Sequence, residues 1–186
     1  MRKILNITDF YTNEENEKMM KYYCDKYNFN GFELIKFDLE KGNAPLKKLI
    51  RGYHMRFFPM WLDLYQGKYE MLKEKFKENQ EIFYWCGGTT REELIEYYKK
   101  ELETAEKLEA EYVVFHACYV DDEGSLIYEF QYSDKEVLQN VVELVNEVFG
   151  EKKYKFKLLL ENLWWPGLRL TSKDEIEFLV ENINYE

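Results

Sequence analysis

The sequence predicts an α/β fold of parallel strands with outer helices, and three observations point there. Five short apolar segments show little strict alternation, as strands do when both faces are covered: Ile4–Phe10, Phe32–Leu39, Gly52–Phe58, Tyr112–Val120 and Phe156–Leu163. Amphipathic helical patterns fall between them, which is the repeated strand–helix–strand order of a parallel sheet with right-handed crossovers. No glycine-rich dinucleotide or phosphate-loop fingerprint follows any strand, so a nucleotide-binding doubly wound sheet is disfavoured and a barrel-type arrangement is preferred.

Each helix has a stated reason to start. Four open on a Thr or Ser whose hydroxyl accepts from backbone N–H groups, with a Glu three residues on to reach back: Thr12/Glu15, Thr90/Glu93, Ser133/Glu136 and Ser172/Glu175. After the second box the apolar residues Leu94, Tyr98, Leu102, Ala105 and Leu108 recur at helical spacing. After the third, Leu138, Val141, Val142, Val145 and Phe149 do the same. The stretch from Gly52 to Gly88 is irregular. Pro59 to Tyr65 reads as an aromatic-rich loop and Lys68 to Asn79 as a helix, and Ile82–Cys86 then runs into Gly87 and Gly88. Loops of this kind cover sites.

Composition narrows the class. At 186 residues, 46% hydrophobic and 33% charged, the chain suits one domain over 1–186 with a real core. A formal net charge of -10 leaves little positive potential for a phosphate backbone, so no nucleic acid is expected as a partner. An anionic sugar phosphate could still bind through local Arg and helix N-termini. Cys24, Cys86 and Cys118 are odd in number with no Cys-x-x-Cys pair, which indicates no disulfide framework and fits a reducing cytoplasm. No apolar run approaches the ~20 residues of a membrane span, so no membrane is expected.

The residues able to carry chemistry stand near the C-terminal ends of three successive strands. They are His54, His116 and Glu161, and they include both histidines of the chain. Glu161 follows Leu158-Leu159-Leu160, so it is expected as a carboxylate on a buried strand, which is costly unless paired or bound to a cation. A divalent ion (Mn, Mg or Zn) on Glu161 and His116 would supply that partner; an ion pair with Arg169 or a Lys is the bland alternative. Cys118, two residues past His116, could share its face as a His-x-Cys zinc pair, although small buried cysteines are common. Arg56 could reach a substrate phosphate, and Trp61, Trp164 and Trp165 could wall a sugar pocket or pack a loop. Asn162 follows the Glu directly. The runs Lys47-Lys48, Lys73 to Lys77 and Lys99-Lys100 alternate with Glu and read as solvated surface.

Three stretches carry a resemblance: Gly-Tyr-His54-Met-Arg-Phe-Phe-Pro-Met-Trp, Val-Val-Phe-His116-Ala-Cys and Leu-Leu-Leu-Glu161-Asn-Leu-Trp-Trp-Pro. In this order they resemble the xylose-isomerase-like TIM barrels, a superfamily of sugar-phosphate isomerases and epimerases, sugar epimerases and type IV apurinic endonucleases. The resemblance implies that His54 and His116 contact metal or substrate and that Glu161 is a divalent-metal ligand that can serve as acid or base. It implies further ligands from strands six to eight, which the chain does not contain. A complete barrel takes about 250 residues, so about five of eight units are expected here. Such an open half would be a remnant of a longer chain, or would complete its core as a homodimer.

The leading expectation is therefore a metal-assisted isomerase or epimerase acting on a sugar or sugar phosphate through an enediolate, incomplete in this chain. The alternative is a non-catalytic sugar-binding or interaction module. An apurinic endonuclease ranks third on acidity and missing ligands, and a two-carboxylate glycosidase finds no second strand-end carboxylate.

Overall fold

Five parallel strands form one sheet in the order β1-β2-β3-β4-β5, with helices in the connections. The strands are β1 (Ile4–Thr8), β2 (Gly31–Ile35), β3 (Ile50–His54), β4 (Tyr112–His116) and β5 (Lys157–Glu161). The computed structural model describes residues 2–9, 14–39, 47–150 and 152–185, and the side chains of 14–16 are outside that description. Thus the TIM-barrel-type α/β class read from the sequence is what the chain adopts, and among the described residues the sheet is not closed.

Ile4 lies opposite Gly31, Leu34 opposite Tyr53 and His54 opposite Val114, and the β2–β3 register shifts once, between Phe32 and Glu33. The inner strands β2, β3 and β4 are largely covered, whereas β1 and β5 are half open. Every strand stops earlier than its apolar run. Past β4, Cys118 leaves the parallel ladder for an antiparallel bridge to Gly167. Past β3, Met55 N–H still bonds to the Val114 carbonyl, but Arg56 N–H turns to a helix carboxylate. Apolar residues continue because the connections at these ends are themselves buried.

The helices are α1 (Glu14–Tyr27), α2 (Trp61–Tyr65), α3 (Tyr69–Lys75), α4 (Asn79–Cys86), α5 (Arg91–Lys107), α6 (Gly124–Ile127), α7 (Asp134–Phe149) and α8 (Lys173–Asn182). Three of the four expected starts lie in the described residues. At α7 the box is complete: Ser133 Oγ accepts from Glu136 N–H, and the Glu136 carboxylate accepts from Ser133 N–H. At α5 and α8 the hydroxyls of Thr90 and Ser172 accept as expected, but the Glu reaches one residue further back, to Thr89 and Thr171. The Thr12/Glu15 box falls outside the described residues.

The irregular stretch is more helical than its sequence suggests. Pro59 to Tyr65 is no loop, since α2 occupies most of it and all five of its residues are buried. Lys68 to Asn79 is not one helix: Phe76 takes an extended conformation, and Glu78 then starts α4 with its own capping box to Glu81. Gly87 ends α4 at φ 87°, where a Cβ would come within 2.6 Å of Leu94 and Phe58, so only glycine fits.

Two compact units emerge. The first comprises Met1–Arg56, Lys100–Phe115 and Tyr154–Leu159, and the second Phe57–Lys99, His116–Lys153 and Leu160–Glu186. In the first, Phe32, Leu34, Ile50, Tyr53 and Val113 of the strands and Leu102, Ala105 and Leu108 of α5 are all buried. Gly52 allows the Tyr112 ring against β3, because a Cβ there would lie 2.3 Å from it. In the second, Trp61, Leu62, Leu64, Leu94, Tyr98 and the Val137 to Val148 stripe of α7 are buried.

Candidate functional site

Each of the three residues singled out from the sequence is the last of its strand: His54 closes β3, His116 closes β4 and Glu161 closes β5. All three are partly exposed, as a group that meets a ligand must be. In the first unit, His54 Nδ1 lies 3.0 Å from the carbonyl oxygen of Met55. A carbonyl can only accept, so Nδ1 carries a proton, and the tautomer this contact selects has its lone pair on Nε2. Two residues on, the Arg56 guanidinium sits 5.5 Å over the Phe37 ring.

In the second unit, His116 Nε2 and Glu161 Oε2 approach to 3.1 Å. Glu161 is not the buried carboxylate expected: its side chain is 43% exposed, and β5 alternates between open and half-covered positions. Its partner is His116, and Arg169 pairs instead with Asp134. One imidazole nitrogen beside one carboxylate oxygen is a donor set for Zn²⁺ or Mn²⁺, and 3.1 Å is within reach of two neighbouring ligands each about 2 Å from one ion. The pair therefore fits a divalent metal.

Aromatic rings wall this pair. Phe57 lies 4.9 Å from the His116 ring and stacks at 6.0 Å on Trp165, which meets Trp164 at 5.3 Å. Trp164 is 59% exposed and Asn162 is exposed, so both can face a ligand. Trp61 cannot. It is fully buried, with its indole N–H donating to the Cys118 carbonyl at 2.8 Å, so the expectation of a substrate contact is corrected to a packing role. Cys118 is also fully buried, and the lack of water pushes its thiol well above the usual range. That environment opposes the thiolate that a His-x-Cys zinc pair needs.

Sequence reasoning missed two carboxylates that are wholly buried, at 0% exposure. Asp63 of α2 is wholly buried and accepts from the hydroxyls of Tyr119 at 2.5 Å and Tyr132 at 2.6 Å and from Lys68 at 3.3 Å. Both phenols are held protonated by burial and by this carboxylate. Glu101 of α5 is likewise fully buried. Its two oxygens lie 3.0 and 3.2 Å from Arg56 N–H, and Tyr53 donates to it at 3.3 Å. Burial pushes the carboxyl up to about 8, against the opposing pull of those donors. A signal existed for each: both acids sit inside an apolar stripe, Asp63 within Trp-Leu-Asp-Leu-Tyr and Glu101 beside Tyr98 and Leu102.

The model of the xylose isomerase-like TIM barrel family matches residues 22–186. The chain belongs to that family. Among solved structures it is similar to endonuclease IV from Thermus thermophilus, with 14% identity and a TM-score of 0.54 over 100% of this chain and 61% of that one. This xylose isomerase-like chain thus spans about 61% of the length of that protein. No curated protein matches it. At that identity the likeness speaks for the fold alone, but it corrects one expectation. Net charge argues against nucleic acid, yet the same fold serves an endonuclease. Net charge is a property of the whole surface, whereas a phosphate is read by the few charges within a Debye length of the site. No described helix is long and apolar enough to cross a membrane.

Proposed function

We propose that His116 and Glu161 hold a divalent metal ion, Mn, Mg or Zn, in a site that acts on a sugar or sugar phosphate by moving a proton between adjacent carbons, as in an isomerase or epimerase. The observation that carries the reading is the 3.1 Å approach of imidazole nitrogen to carboxylate at two strand ends. A bound ion would polarise a substrate oxygen. The protein's own groups do the rest: in the second unit Glu161 holds or takes a proton and Asn162 and Trp164 contact the substrate, while in the first unit His54 offers a ligand an acceptor at Nε2 and Arg56 a cation. The exposed face of Trp164 gives a sugar ring an apolar platform. The remaining apparatus of an isomerase would come from outside these residues. The three free cysteines support a reducing, cytoplasmic setting.

The test is metal content and metal titration of the whole chain. Binding of one Mn or Zn per chain, weakened roughly tenfold or more in Glu161→Gln, is expected. No stoichiometric metal, with sugar binding intact, would replace the reading with a non-catalytic sugar-binding module. A second reading, in which the same pair meets the phosphate of a nucleic acid, is favoured by the likeness to an endonuclease. Metal-dependent cleavage of an oligonucleotide carrying an apurinic site, without turnover of sugar phosphates, would select it.

A further inference from the structure

One peptide unit stands between His54 and the helix layer. The carbonyl of the Met55–Arg56 peptide accepts from His54 Nδ1 at 3.0 Å, while its N–H donates to both oxygens of Glu101 at 3.0 and 3.2 Å. The chain thus runs carboxylate, amide, imidazole in one line of hydrogen bonds. When Glu101 is ionised, the anion at the N–H end of this amide polarises it, so the oxygen at the other end becomes a stronger acceptor.

A fully buried carboxylate on α5 is a costly way to end a strand. A leucine at 101 would pack as well but would leave Arg56 N–H without its acceptor. The Tyr53 hydroxyl, donating to the same carboxylate at 3.3 Å, fixes the carboxyl from the strand side. Every group in this line belongs to the first unit.

We infer that Glu101 is a positioning residue for His54, acting through the Met55–Arg56 peptide to set the ring's orientation and keep its proton on Nδ1. The consequence is that Nε2 is the basic nitrogen His54 offers to a ligand. The use of that nitrogen rests on the proposed function; the tautomer itself rests only on the three hydrogen bonds.

The experiment is a two-bond proton–nitrogen correlation spectrum of the histidine rings in the uniformly labelled full chain without added metal. It is recorded at about pH 9, above the value of about 8 to which burial raises the Glu101 carboxyl. The chain has 2 histidines, so His54→Gln assigns the spectrum. His54 is expected in the Nδ1–H form. Glu101→Gln, which keeps an acceptor but no charge, should shift the tautomer ratio toward Nε2–H by roughly threefold or more. Glu101→Leu should shift it further, and His116 should be unmoved in both. A wild-type His54 protonated on Nε2, or a ratio unchanged in Glu101→Gln, overturns the inference even if the leucine variant fails to fold. Failed metal binding with the Nδ1–H form intact would instead remove the proposed function alone.

Discussion

Glu101 gives the structure a calculable pH dependence. In the unfolded chain its carboxyl releases a proton near its ordinary 4.5, while in the folded protein burial holds the proton up to about 8. Between those values the folded state binds more protons than the unfolded state, so this group's contribution to stability is complete below 4.5 and is lost as pH rises through about 8. At 1.36 kcal/mol per pH unit the whole gap corresponds to about 5 kcal/mol. Water reaching the ionised form lowers that figure, so about 2–4 kcal/mol is expected. Glutamine has no proton to lose, and the other titrating groups cancel in the difference between the two proteins. Urea unfolding of wild type and Glu101→Gln at about pH 5, 7 and 9 reads the effect directly. The stability difference should move in favour of the variant as pH rises. A difference constant to within about 0.5 kcal/mol from pH 5 to 9 would show that the buried carboxyl does not titrate as its surroundings dictate.

Two further substitutions test the packing around the site. Trp61→Phe keeps most of the buried volume but leaves the Cys118 carbonyl without its 2.8 Å donor, and should cost about 1–3 kcal/mol in urea unfolding with metal affinity nearly unchanged. A loss of metal binding larger than the loss of stability would restore Trp61 as a ligand contact. Gly87→Ala places a Cβ 2.6 Å from Leu94 and Phe58 at φ 87°, and should lower stability by about 1–3 kcal/mol, read as a drop in the thermal midpoint. An alanine variant as stable as wild type would mean that the end of α4 can relax elsewhere.

The strand order and the helix starts were legible because they rest on local chemistry: an apolar run between two capped amphipathic segments leaves few alternatives. Strand ends were not. Ala117, Cys118, Tyr119 and Val120 are as apolar and buried as β4 itself, so no pattern marks where the ladder stops. The run before Glu161 misled in the opposite way. Three leucines say what a strand is able to bury, not what covers it, and Leu159 is 44% exposed. Of the candidate residues, the strand-end His54, His116 and Glu161 could be named from type and position. Glu101 and Asp63 could not, because an acid in an apolar stripe reads as a break in the pattern until its donors, Arg56 N–H in one case and two tyrosine hydroxyls in the other, are placed against it.

The failure of net charge to choose the partner has the same root. Many of the acids behind the value of -10 lie on solvated helix faces, some of them paired, as Glu17 with Lys21 and Glu103 with Lys107 are. At physiological ionic strength a ligand feels such charges only within about 8 Å. Near the strand ends of the second unit the accounting is local: Arg169 is neutralised by Asp134, and His116 and Glu161 face each other. If that pair takes up a divalent ion, one carboxylate and one neutral imidazole leave the centre with a net charge of about +1. The sign of the field that a phosphate meets is then set by the ion and not by the protein's overall acidity. On that basis overall acidity rules out neither the sugar phosphate of the proposed function nor the nucleic-acid phosphate of its second reading.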